Sequence, residues 1–477
     1  MTRHKLSKRL LVLGAALTML MSQSAFAGEV VELNLEDAMQ RAFNTNPAIT
    51  IAGYERDSAR ASYNAARNSR WITIEGSHVT RRGGNDDNAY RMPGYYWNEK
   101  TGTATHVTVP ENLGKQIGNS HSNTLTASMP IYTGGKLNGA IKQAKAGYLI
   151  SEQGLQKAYN DMRSTVTNGY FDMLQADNMQ KLGRESVDRL ADHLKNVEAQ
   201  YEVGVVAKVD VLRSQVELAN AKQSLIKAEN AYQIAEANLN KIVGLPMDTQ
   251  LKLDNILVYT PYDNDMQYCL DYAAKHRPEL EQAKQQVEAA KGALRVAISG
   301  HMPQVAATAS QNWNDSNWPG DENGNWYVGV SVGLNIFDSG VTTSKIHGAE
   351  ADLAKAHESY RDTVDLVNLD VRSNYLNLRE AEKRIDTTKL AVSQAEEDYR
   401  IAQLRYMNGV GTNTDVLDAQ VALTDAKTNY LQAMYDYNTC KTNLETAIGV
   451  PMQFPTKVVV EPKVAEAEKA VNSKETK

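Results

Sequence analysis

Two short stretches of this chain of 477 residues place carboxylates just after a glycine turn, at the start of a helical pattern. In the first, Tyr201, Gly204 and Val205 precede Asp210; in the second, Tyr406, Gly409 and Val410 precede Asp415 and Asp418. Asp415 and Asp418 are three residues apart, so a helix carries both on one face. Carboxylates repeated around a symmetry axis make a negative constriction that attracts cations. An Asp in a first helical turn also satisfies exposed amides and complements the helix dipole. Asp210 occupies the place of Asp415 in the first copy, so capping explains that pair equally well. Asp418 has Arg213 as its counterpart, and a shared structural need does not account for its charge.

Catalysis finds no support in the sequence. There is no HExxH, paired CxxC, P-loop or nucleophile elbow. His78, His106 and His121 lie in or near a first pair of strands, where a loop or interfacial role suffices. Asp86, Asp87 and the stretch from Asp321 to Asn325 lack the full ligand spacing of a calcium loop. We therefore expect no enzyme, no cofactor and no metal centre. A net charge of −6 without a large basic block gives no reason to expect nucleic acid.

The elements around the two turns are themselves repeated. With a shift of about 205, Tyr201 to Pro246 matches Tyr406 to Pro451 at about 17 of 46 positions without gaps. Each copy reads as a helix stop, a turn and a helix start, with tips near 203–210 and 408–415. A short amphipathic helix from Leu33 to Asn44, the break at Asn46 and Pro47, and a second helix to about Ser69 open the first unit. The same layout returns at Met266, with Arg277 and Pro278 as the break. The expected organisation is thus a unit over 28–260 and a second over 261–456.

Before these units, Arg3, Lys5, Lys8 and Arg9 precede an apolar run from Leu10 to Met21 and a small-x-small site at Ala25 to Ala27. That pattern predicts a cleaved signal peptide at 1–27. Its removal takes away four basic residues, moving the formal charge from −6 to about −10 (−6 minus 4). Neither cysteine, Cys269 or Cys440, follows the cleavage site, so no lipid is expected there. Both fall on apolar helical positions and read as small core residues. The stretch 457–477 is charged, lacks aromatics and reads as disordered.

Each unit changes period between its helices. Asn325 to Phe337 alternates strictly, with Trp326, Val328, Val330 and Val332 on one face. Runs near 71–80, 120–131 and 304–313 alternate less strictly. Each is about ten residues, the length of a tilted barrel strand. All five tryptophans fall in these strand and loop segments, as interfacial girdles require. Between the first two strands lies a long polar loop, Arg81 to Asn119. The helices that follow are free of proline from Pro130 to Pro246 and from Pro319 to Pro451. A stripe from Ile346 through Leu353, Tyr360, Val367 and Leu378 to Ile385 repeats at the coiled-coil period.

No later stretch has the apolar length of a transmembrane helix, so entry into a membrane requires a closed barrel. Four strands cannot close one, and an open edge in lipid leaves backbone groups unsatisfied. Several copies must share the barrel, eight strands from two chains or twelve from three.

The order of these features resembles the TolC family of outer-membrane exit ducts over nearly the whole mature chain. The opening from Leu35 to Asn46 and Pro47, the duplication, the strand pairs and the motif from Tyr406 and Gly409 to Asp415 and Asp418 carry the likeness. The resemblance implies a mostly α chain with a membrane β-barrel: a homotrimer whose shared twelve-stranded outer-membrane barrel continues into a helical coiled-coil periplasmic tunnel. It implies an outer-membrane location, lipid contact, a periplasmic adaptor protein and an inner-membrane transporter as partners. It maps Asp415 and Asp418 onto carboxylate rings at the tunnel entrance. It maps Asp210 and Tyr406 onto a latch between neighbouring tips, and Gly204, Val205, Gly409 and Val410 onto the adaptor contact. The arginine the family can carry two residues after Gly409 is Gly411 here, which predicts a different latch. A competing reading is a soluble periplasmic coiled-coil scaffold or adaptor, against which the alternating tryptophan-flanked strands argue.

Overall fold

The computed structural model describes residues 30–450 apart from 86–88 and 113–115. The expected signal peptide, the charged tail and the Asp86–Asp87 pair lie outside the described residues. In order, the first half runs β1 (Val31–Leu33), α1 (Leu35–Thr45), α2 (Pro47–Asn68), β2 (Thr73–Asn85), β3 (Ala89–Asn98), β4 (Thr103–Asn112), β5 (Gln116–Tyr132), α3 (Lys136–Glu202) and α4 (Lys208–Val243). The second half runs β6 (Leu251–Leu253), α5 (Met266–His276), α6 (Pro278–Ile298), β7 (Gln304–Asp315), β8 (Gly324–Gly333), α7 (Val341–Met407) and α8 (Asn413–Ala447). No described helix is long and apolar enough to cross a membrane.

Local sequence explains the helix ends. Asn34 caps α1 by accepting a hydrogen bond from the Asp37 amide at 2.7 Å, and Asp265 caps α5 from the Tyr268 amide at 2.8 Å. Both short helices end two residues before a proline, Pro47 or Pro278, with Asn46 and Arg277 extended between, because proline disfavours helical geometry in the residue before it. The two long helices, α3 and α7, have 67 residues each. At 1.5 Å per residue each spans roughly 100 Å.

The described chain divides into two compact units. One comprises residues up to 55, 152–282 and from 361 onward. It holds two hydrophobic clusters built alike. In the first, Ala38, Ala42 and Phe43 of α1 join Val166 and Tyr170 of α3 and Leu239 and Val243 of α4. In the second, Cys269 and Ala273 of α5 join Val371 and Leu378 of α7 and Tyr437 and Leu444 of α8. A fully buried side chain such as Leu378 contributes roughly 1.5–3 kcal/mol. The phenol of Tyr170 donates to the Leu33 and Asp254 carbonyls at 3.1 and 3.0 Å, so its polar end is satisfied beside the β1–β6 pair. Cys269 is buried, Cys440 half-buried, and both are free thiols.

The other unit, residues 56–151 and 283–360, holds an antiparallel sheet in the order β2-β5-β7-β8. Register places Ile74 opposite Ala127, Ala127 opposite Ala309, and Ala309 opposite Val328, so these share one face. Leu125, Met129, Trp326, Val330 and Val332 lie on that same face and are exposed. The opposite face is polar: Thr124 donates to Asn312 at 2.9 Å, and the Thr126 and Ser310 hydroxyls meet at 3.2 Å. An apolar face in the open beside a hydrogen-bonded polar face is the arrangement of a lipid-facing sheet with a wet interior.

Two strand boundaries differ from the sequence reading. The segment from Arg81 to Asn119 is not a plain loop. β2 and β5 extend into it, and β3 and β4 form a separate hairpin with a turn at Gly102. Neither strand of that hairpin alternates strictly in the sequence, so the period that marks a half-buried strand is missing. At the other end, Leu334 to Phe337 continue the alternation but lie beyond β8, which stops at Gly333.

Candidate functional site at the helical tips

The α3–α4 and α7–α8 connections close with the same backbone device. The Gly204 amide donates to the Tyr201 carbonyl at 2.9 Å, and the Val205 amide to that of Gln200 at 2.8 Å. At the second tip, Gly409 donates to Tyr406 at 3.0 Å and Val410 to Arg405 at 2.9 Å. These paired bonds are Schellman caps, which need a left-handed residue; Gly204 has φ +80° and Gly409 φ +72°. Such caps usually pack the next residue against the last helical turn. Here Val205 and Val410 are left 71% and 68% exposed, so the cap alone does not explain apolar residues there.

The restart of the second hairpin is more elaborate. The Thr412 hydroxyl accepts from the Asp415 amide at 3.1 Å, and the Asp415 carboxylate accepts from the Thr412 amide at 2.9 Å. This is a complete capping box. The Thr412 amide, and then its side chain, hold the exposed Asp415 carboxyl below its ordinary range. At the first restart Ala207 supplies no side-chain cap, and Asp210 lies half-buried in the first turn of α4.

Asp418 is exposed and has no hydrogen bond or ion pair among the described residues. It borders a groove of about 460 Å³ with Arg213, Thr414, Leu212 and Val421. A second groove, of about 400 Å³, gathers Asp398, Asp415 and Asp418 beside Arg405. Arg213 is turned toward α8, donating to the Thr414 hydroxyl at 2.9 Å. Across the two grooves, Asp398, Asp415, Asp418 and Glu217 stand against Arg405 and Arg213, which leaves this end of the hairpin negative.

Tyr406 lies in the core of the tip within this chain. It is 7% exposed, packed with Val197, Val211, Ala402 and Val416. Its hydroxyl finds no hydrogen-bond partner among the described residues. Burial first, then the Asp210 charge, raises its phenol above the ordinary range. Gly411 sits at a close approach of the backbone. A Cβ there would lie 3.0 Å from both the Arg405 Cβ and the Tyr406 nitrogen. A side chain at this position would need the turn to give by a few tenths of an ångström.

Sequence reading missed the polar joint that connects the two hairpins within the chain. The His193 Nε2 on α3 lies 2.7 Å from the Asn413 Oδ1 at the start of α8. The Asn413 amide donates to the Asp210 carbonyl at 3.1 Å and to the Ser214 hydroxyl at 3.2 Å, both on α4. His193, Ser214 and Asn413 are all buried. The His193 ring lies 5.4 Å from that of Tyr406, tilted 56°. The signal was present in the heptad stripe Leu182, Ser186, Leu190, His193 and Val197, where an imidazole stands at a core position.

Among the described residues, no group of three or more His, Cys, Asp or Glu could hold a metal ion. Residues 38–245 and 269–450 match the outer membrane efflux protein family. The chain is 24% identical over 445 residues to the outer membrane protein TolC of Escherichia coli (strain K12), spanning 90% of this chain and 85% of that one. Its fold resembles the crystal structure of the outer membrane protein VceC from Vibrio cholerae, with a TM-score of 0.72 at 18% identity, covering 87% of this chain and 96% of that one. It resembles equally the open state of the Neisseria gonorrhoeae MtrE outer membrane channel, with a TM-score of 0.72 at 19% identity, covering 89% and 91%. With the greater part of its length matched, from the first short helix to the end of α8, the chain belongs to the outer membrane efflux protein family.

Proposed function

We propose that this chain is the passive exit duct of a tripartite efflux or type I secretion system in the outer membrane. The observation that carries the reading is the four-stranded sheet, with one exposed apolar face, one polar face and edges at β2 and β8 that no strand among the described residues pairs. Such edges are unsatisfied in lipid unless further strands pair with them. Three copies of two tandem repeats supply twelve strands and a closed barrel, the arrangement that the family resemblance favours. The long hairpins then form a periplasmic tunnel, and the exported chain loses its first 27 residues on the way. If detergent-free extraction yields a monomer, or the protein fractionates as soluble, the soluble-scaffold alternative replaces this reading.

The tips form the gate and the docking face. Asp418 lines the constriction, and the negative charge of Asp415 adds to it while capping α8. Asp210 and Tyr406 set the packing of the tips, and Gly204, Val205, Gly409 and Val410 meet a periplasmic adaptor that couples the duct to an inner-membrane transporter. The exposure of Val205 and Val410 supports that contact. In planar bilayers, Asp418→Ala is expected to weaken block by multivalent cations and reduce cation preference. Unchanged selectivity in both Asp418→Ala and Asp415→Ala removes the carboxylate ring.

A further inference from the structure

We infer that His193 is a positioning residue of the gate: in its neutral form it ties the second hairpin to the first within one chain, and acid releases it. The inference rests on the duct reading above and adds a pH response to it. Asn413 begins α8, the helix that carries Asp415 and Asp418. Its side chain is held by α3 through His193 and by α4 through Ser214 and the Asp210 carbonyl. Any swing of α8 away from the first hairpin must break these bonds together.

The orientation of Asn413 follows from its partners. Its amide nitrogen donates to a backbone carbonyl, so its oxygen accepts from the imidazole, which assigns the proton of neutral His193 to Nε2. Protonation adds a second N–H, at Nδ1. Among the described residues only Asn413 hydrogen-bonds this ring. The closed joint therefore offers the new donor no acceptor and buries its charge.

The charged and titratable surroundings do not replace that missing partner. On α3, Arg189 is engaged with Glu185 at 3.1 Å, and Asp192 acts on Tyr399. From α4, Asp210 acts on Tyr406. From α7 come Tyr399 and Tyr406, both held neutral by burial. From α8, Asp415 is occupied in its own cap. None hydrogen-bonds the imidazole. Burial correspondingly lowers the affinity of His193 for a proton, and the bond to Asn413 only partly offsets it.

The sign follows from linkage. A base whose closed-state pKa is depressed favours the open state once pH falls below its open-state value, about 6.5. The effect grows by up to about tenfold per chain for each pH unit, until the closed-state pKa is reached.

The test is the open fraction of the purified wild-type assembly in planar bilayers, with the periplasmic side taken from pH 7.5 to 5.5. We expect a several-fold rise for wild type. His193→Gln keeps a donor for Asn413 but does not titrate, and its profile should be flat. Asn413→Asp gives the imidazolium a counter-charge, and acid should then hold the tip shut. A wild-type profile that is flat, or one that His193→Gln reproduces, overturns the inference while leaving the duct intact. Folded protein that forms no channel at either pH overturns the duct reading and this inference with it.

Discussion

The two tips share a turn and differ in almost everything around it. Tyr201 is 41% exposed, with the Lys208 ammonium 5.2 Å above its ring; its counterpart Tyr406 is 7% exposed and rests against His193. Ala207 leaves the start of α4 without a side-chain cap, whereas Thr412 and Asp415 cap α8 reciprocally. Lys208 reaches outward where its counterpart Asn413 is buried between three helices. The Schellman turn is a local device that any Gly after a helix can close. Which tip is fastened is decided by what lies across from it.

Breaking the buried tyrosine should have the largest effect. Tyr406→Ala opens a cavity among Val197, Val211 and Val416, and should weaken the second tip by about 3–5 kcal/mol. Tyr201→Ala, at an exposed site, should stay within about 0.5 kcal/mol. Hydrogen exchange of the first turns of α4 and α8 would read both. Equal effects at the two tips would erase the distinction.

The caps offer a smaller and reciprocal test. Thr412→Ala should destabilise the start of α8 by about 1 kcal/mol, and Ala207→Thr should strengthen the start of α4 by a comparable amount. In the second variant Asp210 stands where the N3 carboxylate of a capping box belongs. Helix-end protection in the same exchange experiment would show whether the missing cap is the only local difference. The cap also carries a pH signature. Because the Asp415 carboxyl lies below its ordinary value in the folded tip, its contribution is present above about pH 3.8 and lost as acid protonates it. Carboxyl titration by NMR should place Asp415 below 3.8, and Thr412→Ala, which keeps the amide donor and removes only the side chain, should bring it part of the way back up.

The sheet and the long helices were legible because each is written in a single period. Alternation over Asn325 to Gly333 has one answer when one face must be apolar. A heptad stripe with no proline for more than a hundred residues has one answer as well. The β3–β4 hairpin was illegible for the converse reason, since its sequence carries no sustained apolar alternation. Asp415 could be read as a cap from the pairing of Thr412 with an acid three residues on, a local signature. The burial of Tyr406 could not, because Tyr201 carries the same turn and stays exposed.

The sequence by itself determined the long helices, the four strands of the sheet, their repetition, the turn at each tip and the unmatched charge at Asp418. These depend on residues within a few positions of one another, where spacing and side-chain type settle the outcome. Only the tertiary structure decided that His193, Ser214 and Asn413 meet. Their bonds cross 199 and 220 positions of chain, and such pairings follow from how long helices pack. Asp418 remains the residue whose type the local structure does not require. His193 holds in place the helix that carries it.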